Sequence, residues 1–284
     1  MKVVSDFYKD LPFNYSDSPD LYVKNIKDVN QVLEYKDLDS LLVKLRKNHP
    51  DQDFQVLELG CGTGWLSNSI GFHYGLNVYA IDFTLKALSM AKSISGILSL
   101  KNKFERADIF DFQTFSQFPL VVSLGVLHHT KDCKAAFKKA ASLVRPGGVL
   151  YVGLYHKYSR LPMLQLMRSH AFWHGEDFAY DLFRGMSSDH SDRQLGFSWF
   201  RDQVLHPHET QHTIEEIFQW SDELGLVITS TSINNYKPLT ADNSRSSLIE
   251  IEKQLYEYSY NQNVREMQFL PGYFTVKLLK PRLT

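Results

Sequence analysis

Three glycines at alternating positions, Gly60, Gly62 and Gly64, directly follow the run Val56-Leu57-Glu58-Leu59 and precede the helical pattern Trp65, Leu66, Ser67, Ile70. A buried run, a glycine turn and a helix start specify a parallel strand that hands the chain to a helix. Glycine suits such a turn because it reaches backbone angles forbidden to a side chain and lets a ligand touch bare backbone. Amides at the start of the helix are expected to face that ligand. The spacing is not that of a dinucleotide fingerprint, because Trp65 stands where the third glycine of that pattern belongs.

The same alternation continues downstream. Asn77-Val78-Tyr79-Ala80-Ile81-Asp82 reads as a second strand ending in an acid, with Thr84 or Asp82 available to cap a helix through Leu85, Leu88, Ala91 and Ile94. A short third strand spans residues 103–109 and includes Asp108. A fourth covers 119–124 and runs into Gly125-Val126-Leu127-His128-His129. Asp132 caps the next helix, and Arg145-Pro146-Gly147-Gly148 is expected to end it before a fifth strand from Val149 to Leu154. Strands alternating with helices imply a doubly wound α/β sheet with ligands at the carboxyl ends of the strands.

Five segments carry a family resemblance: residues 57–64, the Asp82 strand end, Ala107-Asp108-Ile109, Ser123-Leu124-Gly125-Val126-Leu127-His128-His129, and residues 143–150. In order and spacing they resemble class I S-adenosylmethionine-dependent methyltransferases of the ubiquinone/menaquinone-methyltransferase-like, type 11 group. The likeness is good over roughly residues 50–155 and loose in the C-terminal sheet elements. It departs at Pro119-Leu120, where an Asp is common. The resemblance implies a Rossmann-like α/β fold: a seven-stranded, mostly parallel sheet with helices on both faces, the last strand antiparallel. It implies S-adenosyl-L-methionine as methyl donor and S-adenosyl-L-homocysteine as product. The implied cofactor residues are Glu58, Gly60, Cys61, Gly62, Thr63, Gly64, Asp82, Phe83, Asp108, Ile109, Leu124, Gly125 and His129. Asp82 would accept the ribose hydroxyls and Asp108 the adenine amino group; a helix-capping Asp82 and a loop acid at Asp108 are the plain alternatives.

Four segments divide the chain. Residues 1–50 form an N-terminal helical cap, with Leu11-Pro12-Phe13-Asn14-Tyr15 outside any helix interior and a turn at His49-Pro50-Asp51. Residues 51–155 form the cofactor-binding core, and 156–211 a helical insert after the fifth strand that covers the substrate. Residues 212–284 complete the sheet, with a helical insertion at about 245–262. Thr213 and Glu216 make a capping box, 226–230 a sixth strand and 273–279 the last.

Candidates for chemistry follow the fourth and fifth strands or lie in the insert. His128, His129, His206 and His208 are candidate bases, since an oxygen or ammonium nucleophile must lose a proton. Tyr155, Trp199, Asp202, His206, His208 and Glu209 are candidate substrate contacts, within a stretch resembling an Asp-Gln-x-x-His-Pro-x-Glu segment found in a subgroup of the family. His206, His208, Glu209 and His212 invite a metal reading, but the proline between them and the lack of a second ligand cluster argue for no metal. Phe172, Trp173, Phe197 and Phe200 either line a pocket or pack the insert.

With Lys+Arg 31 and Asp+Glu 32 the net charge is -1, which offers no general attraction to nucleic acid or anionic membrane. Two cysteines, Cys61 and Cys133, form neither a zinc pattern nor a disulfide framework, and fit a reducing cytoplasm. The N-terminus shows no signal peptide, and no run approaches a membrane span. The expected activity is methyl transfer to nitrogen or oxygen of a small molecule, by a monomer or homodimer. A catalytically silent partner subunit and a tRNA-modifying enzyme are the alternatives.

Overall fold

Leu57, Leu59, Ile81, Val121 and Val152 pack on one face of a central sheet, while Val56, Val78, Ala80, Leu120 and Val122 pack on the other. Strands apolar on both faces need helices on both, and the chain supplies them. The computed structural model describes residues 2–48, 54–187, 193–239 and 245–282. The expected turn at His49-Pro50-Asp51 lies outside the described residues.

The N-terminal part contains α1 (Lys2–Asp10), α2 (Pro19–Asp28) and α3 (Lys36–Asn48). The core then alternates: β1 (Val56–Leu59), α4 (Trp65–Tyr74), β2 (Val78–Asp82), α5 (Leu85–Ile97), β3 (Lys103–Arg106), β4 (Phe118–Leu124), α6 (Cys133–Ser142) and β5 (Val144–Tyr155). Three helices follow, α7 (Lys157–His174), α8 (Glu176–Met186) and α9 (Arg193–Val204). The chain ends through α10 (Ile214–Leu224), β6 (Val227–Thr231), α11 (Arg245–Tyr260) and β7 (Tyr273–Leu279). The sheet has seven strands in the order β3-β2-β1-β4-β5-β7-β6. β1 to β5 are parallel, and β7 is antiparallel to both β5 and β6. Strand order reverses between β1 and β4, the place where a parallel sheet opens a crevice for ligands.

Local capping explains several boundaries. Asp132 Oδ1 accepts from Ala135 N at 2.9 Å and starts α6. Thr213 and Glu216 form the reciprocal capping box of α10. Thr84 makes no side-chain cap bond; its own N–H is instead held by Asp82 Oδ1 at 2.8 Å.

Other boundaries differ from the sequence reading. β3 stops at Arg106, because Asp108 turns the chain by accepting Phe110 N at 2.9 Å. Residues 145–148 do not cap α6 but already belong to β5: Gly147 N donates to Lys280 O at 2.7 Å, and Lys280 N to Gly148 O at 3.0 Å. Phe172 and Trp173 pack no core, being 76% and 75% exposed at the end of α7, where they line a surface hollow with Leu161, Leu164 and Arg168. The interior of α7–α9 is built from Met163, Met167, Tyr180, Phe183, Phe200 and Val204, with Phe197 packed against it.

The glycine turn is sterically closed at Gly60. Its φ is +77°, and a Cβ there would lie 2.5 Å from Val126 Cγ1. Gly60→Ala is expected to cost at least about 2 kcal/mol from the left-handed backbone and the clash together. Gly96→Ala is the control, since nothing lies within 4 Å of its added Cβ and alanine favours the helix. Thermal melts of the two variants check this; equal melting temperatures would contradict it.

Candidate active site

At the carboxyl ends of β1, β2 and β4 a cavity of about 870 Å³ opens. Glu58, Gly60, Cys61, Gly62, Thr63, Asp82, Phe83, Asp108, Ile109, Leu124, Gly125 and His129 all line it. Gly62 and Gly125, at φ +52° and +75°, have nothing within 4 Å of an added Cβ. Their bare backbone shapes a cradle that any side chain would fill.

Gly64 does not reach the wall. A Cβ on it would meet Ala91 Cβ at 2.7 Å, so this glycine lets α4 pack on α5. Most of the turn's own amides are already engaged. Gly60 N and Cys61 N both donate to Ile81 O, Gly62 N to Asp82 Oδ2 at 2.9 Å, and Gly64 N to Cys61 O. The turn therefore offers its Cα surfaces rather than these donors, three of which tie it to β2.

Two buried acids stand behind the cradle. Glu58 accepts from Ser67 Oγ, and burial pushes its carboxyl up to about 7 against that bond. Asp82 is also raised by burial, opposed by bonds from the Thr84 and Gly62 amides. Asp108 lines the cavity from the turn after β3.

The opposite wall comes from α1 and from residues 202–208. Val4, Tyr8, Pro12, Phe13 and Asn14 line the cavity, as do Asp202, Pro207 and His208. Tyr8 OH donates to Asp202 Oδ1, while Gln203 Nε2 (3.0 Å) and Tyr155 OH (3.4 Å) donate to Oδ2. Burial raises the Asp202 carboxyl, partly offset by His206, the Tyr8 bond and Arg160. His208 Nε2 donates to Thr130 O at 2.8 Å.

Residues 56–148 match the family described as "Methyltransferase domain". The ubiquinone biosynthesis O-methyltransferase of Coxiella burnetii (strain Dugway 5J108-111) is 23% identical over 65% of this chain and 68% of that one. A Synechococcus sp. protein named only as uncharacterised is 24% identical over 63% of this chain, which spans about half of that relative (48%). The plantazolicin methyltransferase solved with S-adenosylhomocysteine shares the fold at TM-score 0.51 and 12% identity, over 99% of this chain and 94% of that one.

The methyltransferase domain makes the chain an S-adenosylmethionine-dependent methyltransferase with the class I fold.

The cradle above Gly62 and Gly125 and the acids Asp82 and Asp108, which line the same cavity, fit S-adenosylmethionine. Several expected acceptor contacts lie elsewhere. His128 is fully buried and stacks on Tyr155 with ring centroids 4.0 Å apart. Tyr155 is itself covered by the Arg160 guanidinium, 3.6 Å from its ring centre. Trp199 packs on Phe13 and Phe269. Glu209 pairs with Arg160 Nη2 at 2.8 Å and Nε at 3.1 Å, and this pair holds its carboxyl low despite burial. A buried charge spent on a partner is not free for substrate. The same bonds remove Glu209 from any metal site, as the Thr130 bond does for His208 Nε2.

Two residues absent from the sequence reading matter here. Tyr8 reaches the site from 194 positions before Asp202. Arg160, 0% exposed, also donates to Gln203 Oε1, Gln203 O and Pro271 O. Neither a residue of α1 nor one at the start of α7 carries a local signal for its role.

Burial lowers His129 to about 4 and His206 to about 3. Both therefore fold neutral, while in the unfolded chain a histidine titrates near about 6.5. Below that value the unfolded state binds the extra proton, so stability falls as pH drops. Raised Glu58, Asp82 and Asp202 act in the opposite sense, so the histidine effect is isolated by difference. Between pH 7 and 5, His206→Gln is expected to lose about 2 kcal/mol less stability than wild type. Denaturant melts at the two pH values check it, and identical losses would refute it.

Proposed function

We propose that this methyltransferase transfers the methyl of S-adenosylmethionine to nitrogen or oxygen of a small-molecule acceptor. The observation that carries this is the enclosure. One cavity is walled both by the strand-end cradle and by α1 with residues 202–208, which leaves room beside the cofactor for a compact group and not for a polymer. The relative named for ubiquinone biosynthesis supports a small acceptor. Free, buried Cys61 and Cys133 support a reducing cytoplasmic setting. Among the described residues, no helix is long and apolar enough to cross a membrane.

When bound, the sulfonium supplies an activated methyl and a neutral leaving group. The chain's own task is to hold an acceptor in line and to exclude water, worth several kcal/mol of barrier. Gly62, Gly125, Asp82 and Asp108 position the donor. His129, Asp202 and Tyr8 meet the acceptor, and His129 is the base closest to a role in catalysis because it lines the cavity and folds neutral.

Calorimetric titration with S-adenosylmethionine and S-adenosylhomocysteine is expected to give micromolar binding. An acceptor screen by release of S-adenosylhomocysteine then follows. Binding of neither ligand by folded protein would sink the proposal.

A further inference from the structure

The main chain of His208 is bonded to two histidine rings. Its N–H donates to His206 Nδ1 at 3.1 Å, and its carbonyl oxygen lies 3.1 Å from His129 Nδ1. A backbone N–H only donates and a carbonyl only accepts. In their neutral forms, His206 therefore carries its proton on Nε2, and His129 carries its proton on Nδ1. One residue's main chain imposes opposite tautomers on two rings whose centroids are 3.8 Å apart. Both Nε2 atoms are buried, and among the described residues neither has a hydrogen-bond partner. With a carboxylate oxygen of Asp202, ligand atoms of the two rings lie within 4.8 Å of one another.

Two histidines and a carboxylate this close have the composition of a metal site. The proton positions oppose it: ligation through both Nε2 atoms needs two lone pairs, and His206 presents a proton. What the pair presents is one acceptor and one donor. An ammonium has only protons to offer, and a carboxylate or phosphate only lone pairs. A neutral amine matches both groups, but its single lone pair would be held by His206 and unable to form a bond. A hydroxyl has one proton for His129, one lone pair for His206, and a second lone pair left over.

We infer that the methyl acceptor is a hydroxyl group, received between His129 Nε2 and the His206 Nε2–H beside Asp202. This rests on the methyl-transfer reading and narrows it to oxygen. The oxygen's free lone pair forms the O–CH₃ bond as the methyl carbon–sulfur bond breaks, and that bond's electron pair stays on sulfur. The hydroxyl proton passes to His129 Nε2. One positive charge thus moves from the sulfonium to the His129 imidazolium, where the neighbouring Asp202 carboxylate stabilises it. His206 holds the oxygen throughout. Phe7 and Tyr8 of α1 rest on the His206 ring at 5.0 and 5.4 Å and help to keep water from it.

Nitrogen-15 histidine NMR on the full chain saturated with S-adenosylhomocysteine, near neutral pH, tests this. His129→Gln and His206→Gln spectra assign the signals. The expected result is a protonated Nδ1 on His129 and a protonated Nε2 on His206. The same tautomer on both rings overturns the inference, as does one equivalent of zinc bound by wild type and lost in either variant. Preferential methylation of aniline or benzylamine over phenol or benzyl alcohol also overturns it. Failure to saturate with S-adenosylhomocysteine instead condemns the underlying methyl-transfer reading.

Discussion

Asp82→Ala is expected to lower affinity for S-adenosylmethionine by about 100-fold or more while leaving the sheet intact. Each carboxylate oxygen of Asp82 already accepts one backbone N–H, from Gly62 and from Thr84, so the group is fixed before any ligand arrives. A preorganised, buried carboxylate that accepts two hydroxyls contributes about 1.5–3 kcal/mol for each charge-assisted bond. The two together are of the order of the predicted loss. The variant also frees the Gly62 and Thr84 amides, which loosens the turn, so a melting temperature must accompany the titration. Asp82→Asn keeps one acceptor oxygen and should fall between wild type and alanine. Unchanged affinity in a folded Asp82→Ala protein would remove Asp82 from the cofactor site.

Arg160→Met is expected to lower the melting temperature by about 10 °C, from a loss of about 3–5 kcal/mol. The guanidinium holds Glu209 with two bonds, ties the end of α9 through Gln203 and reaches Pro271 before β7. Removing it strands a buried carboxylate. Arg160→Met with Glu209→Gln removes both charges and should recover part of the loss, since the cost lies in the unpaired ion. A single variant that melts within about 2 °C of wild type would show that the pair contributes little.

The strand-end wall of the cavity was legible in the sequence because its parts are local. A glycine turn, a strand ending in Asp82 and a turn at Asp108 each report themselves within a few residues. Even there the sequence could not say which donors were already engaged, and the turn's amides proved to be spent on Ile81 and Asp82. The acceptor half depends on pairs far apart in the chain. Tyr8 meets Asp202, and Arg160 meets Glu209, with no periodicity to announce either. Glu209 therefore read as a free acid near histidines when it is a partner to Arg160. His128 and His129, adjacent in sequence, differ in fate because only His129 reaches the cavity. Strand limits failed where bonds from other residues decide them: the Asp108 side chain with Phe110, and the Lys280 main chain with Gly147 and Gly148.

The reach of α1 across the molecule also bears on how the chain is made. α1 is made long before its partners: Arg201 and Asp202 lie within α9 and His206 just beyond it, after β1 to β5. Contacts separated by such long stretches form late, because the loop entropy between them is lost before they contribute anything. The parallel core can therefore assemble with its cradle open, and Phe7 and Tyr8 stay uncovered until residues 201–206 have been synthesised. A helix that waits for partners this distant makes the acceptor wall a later structure than the parallel core it faces.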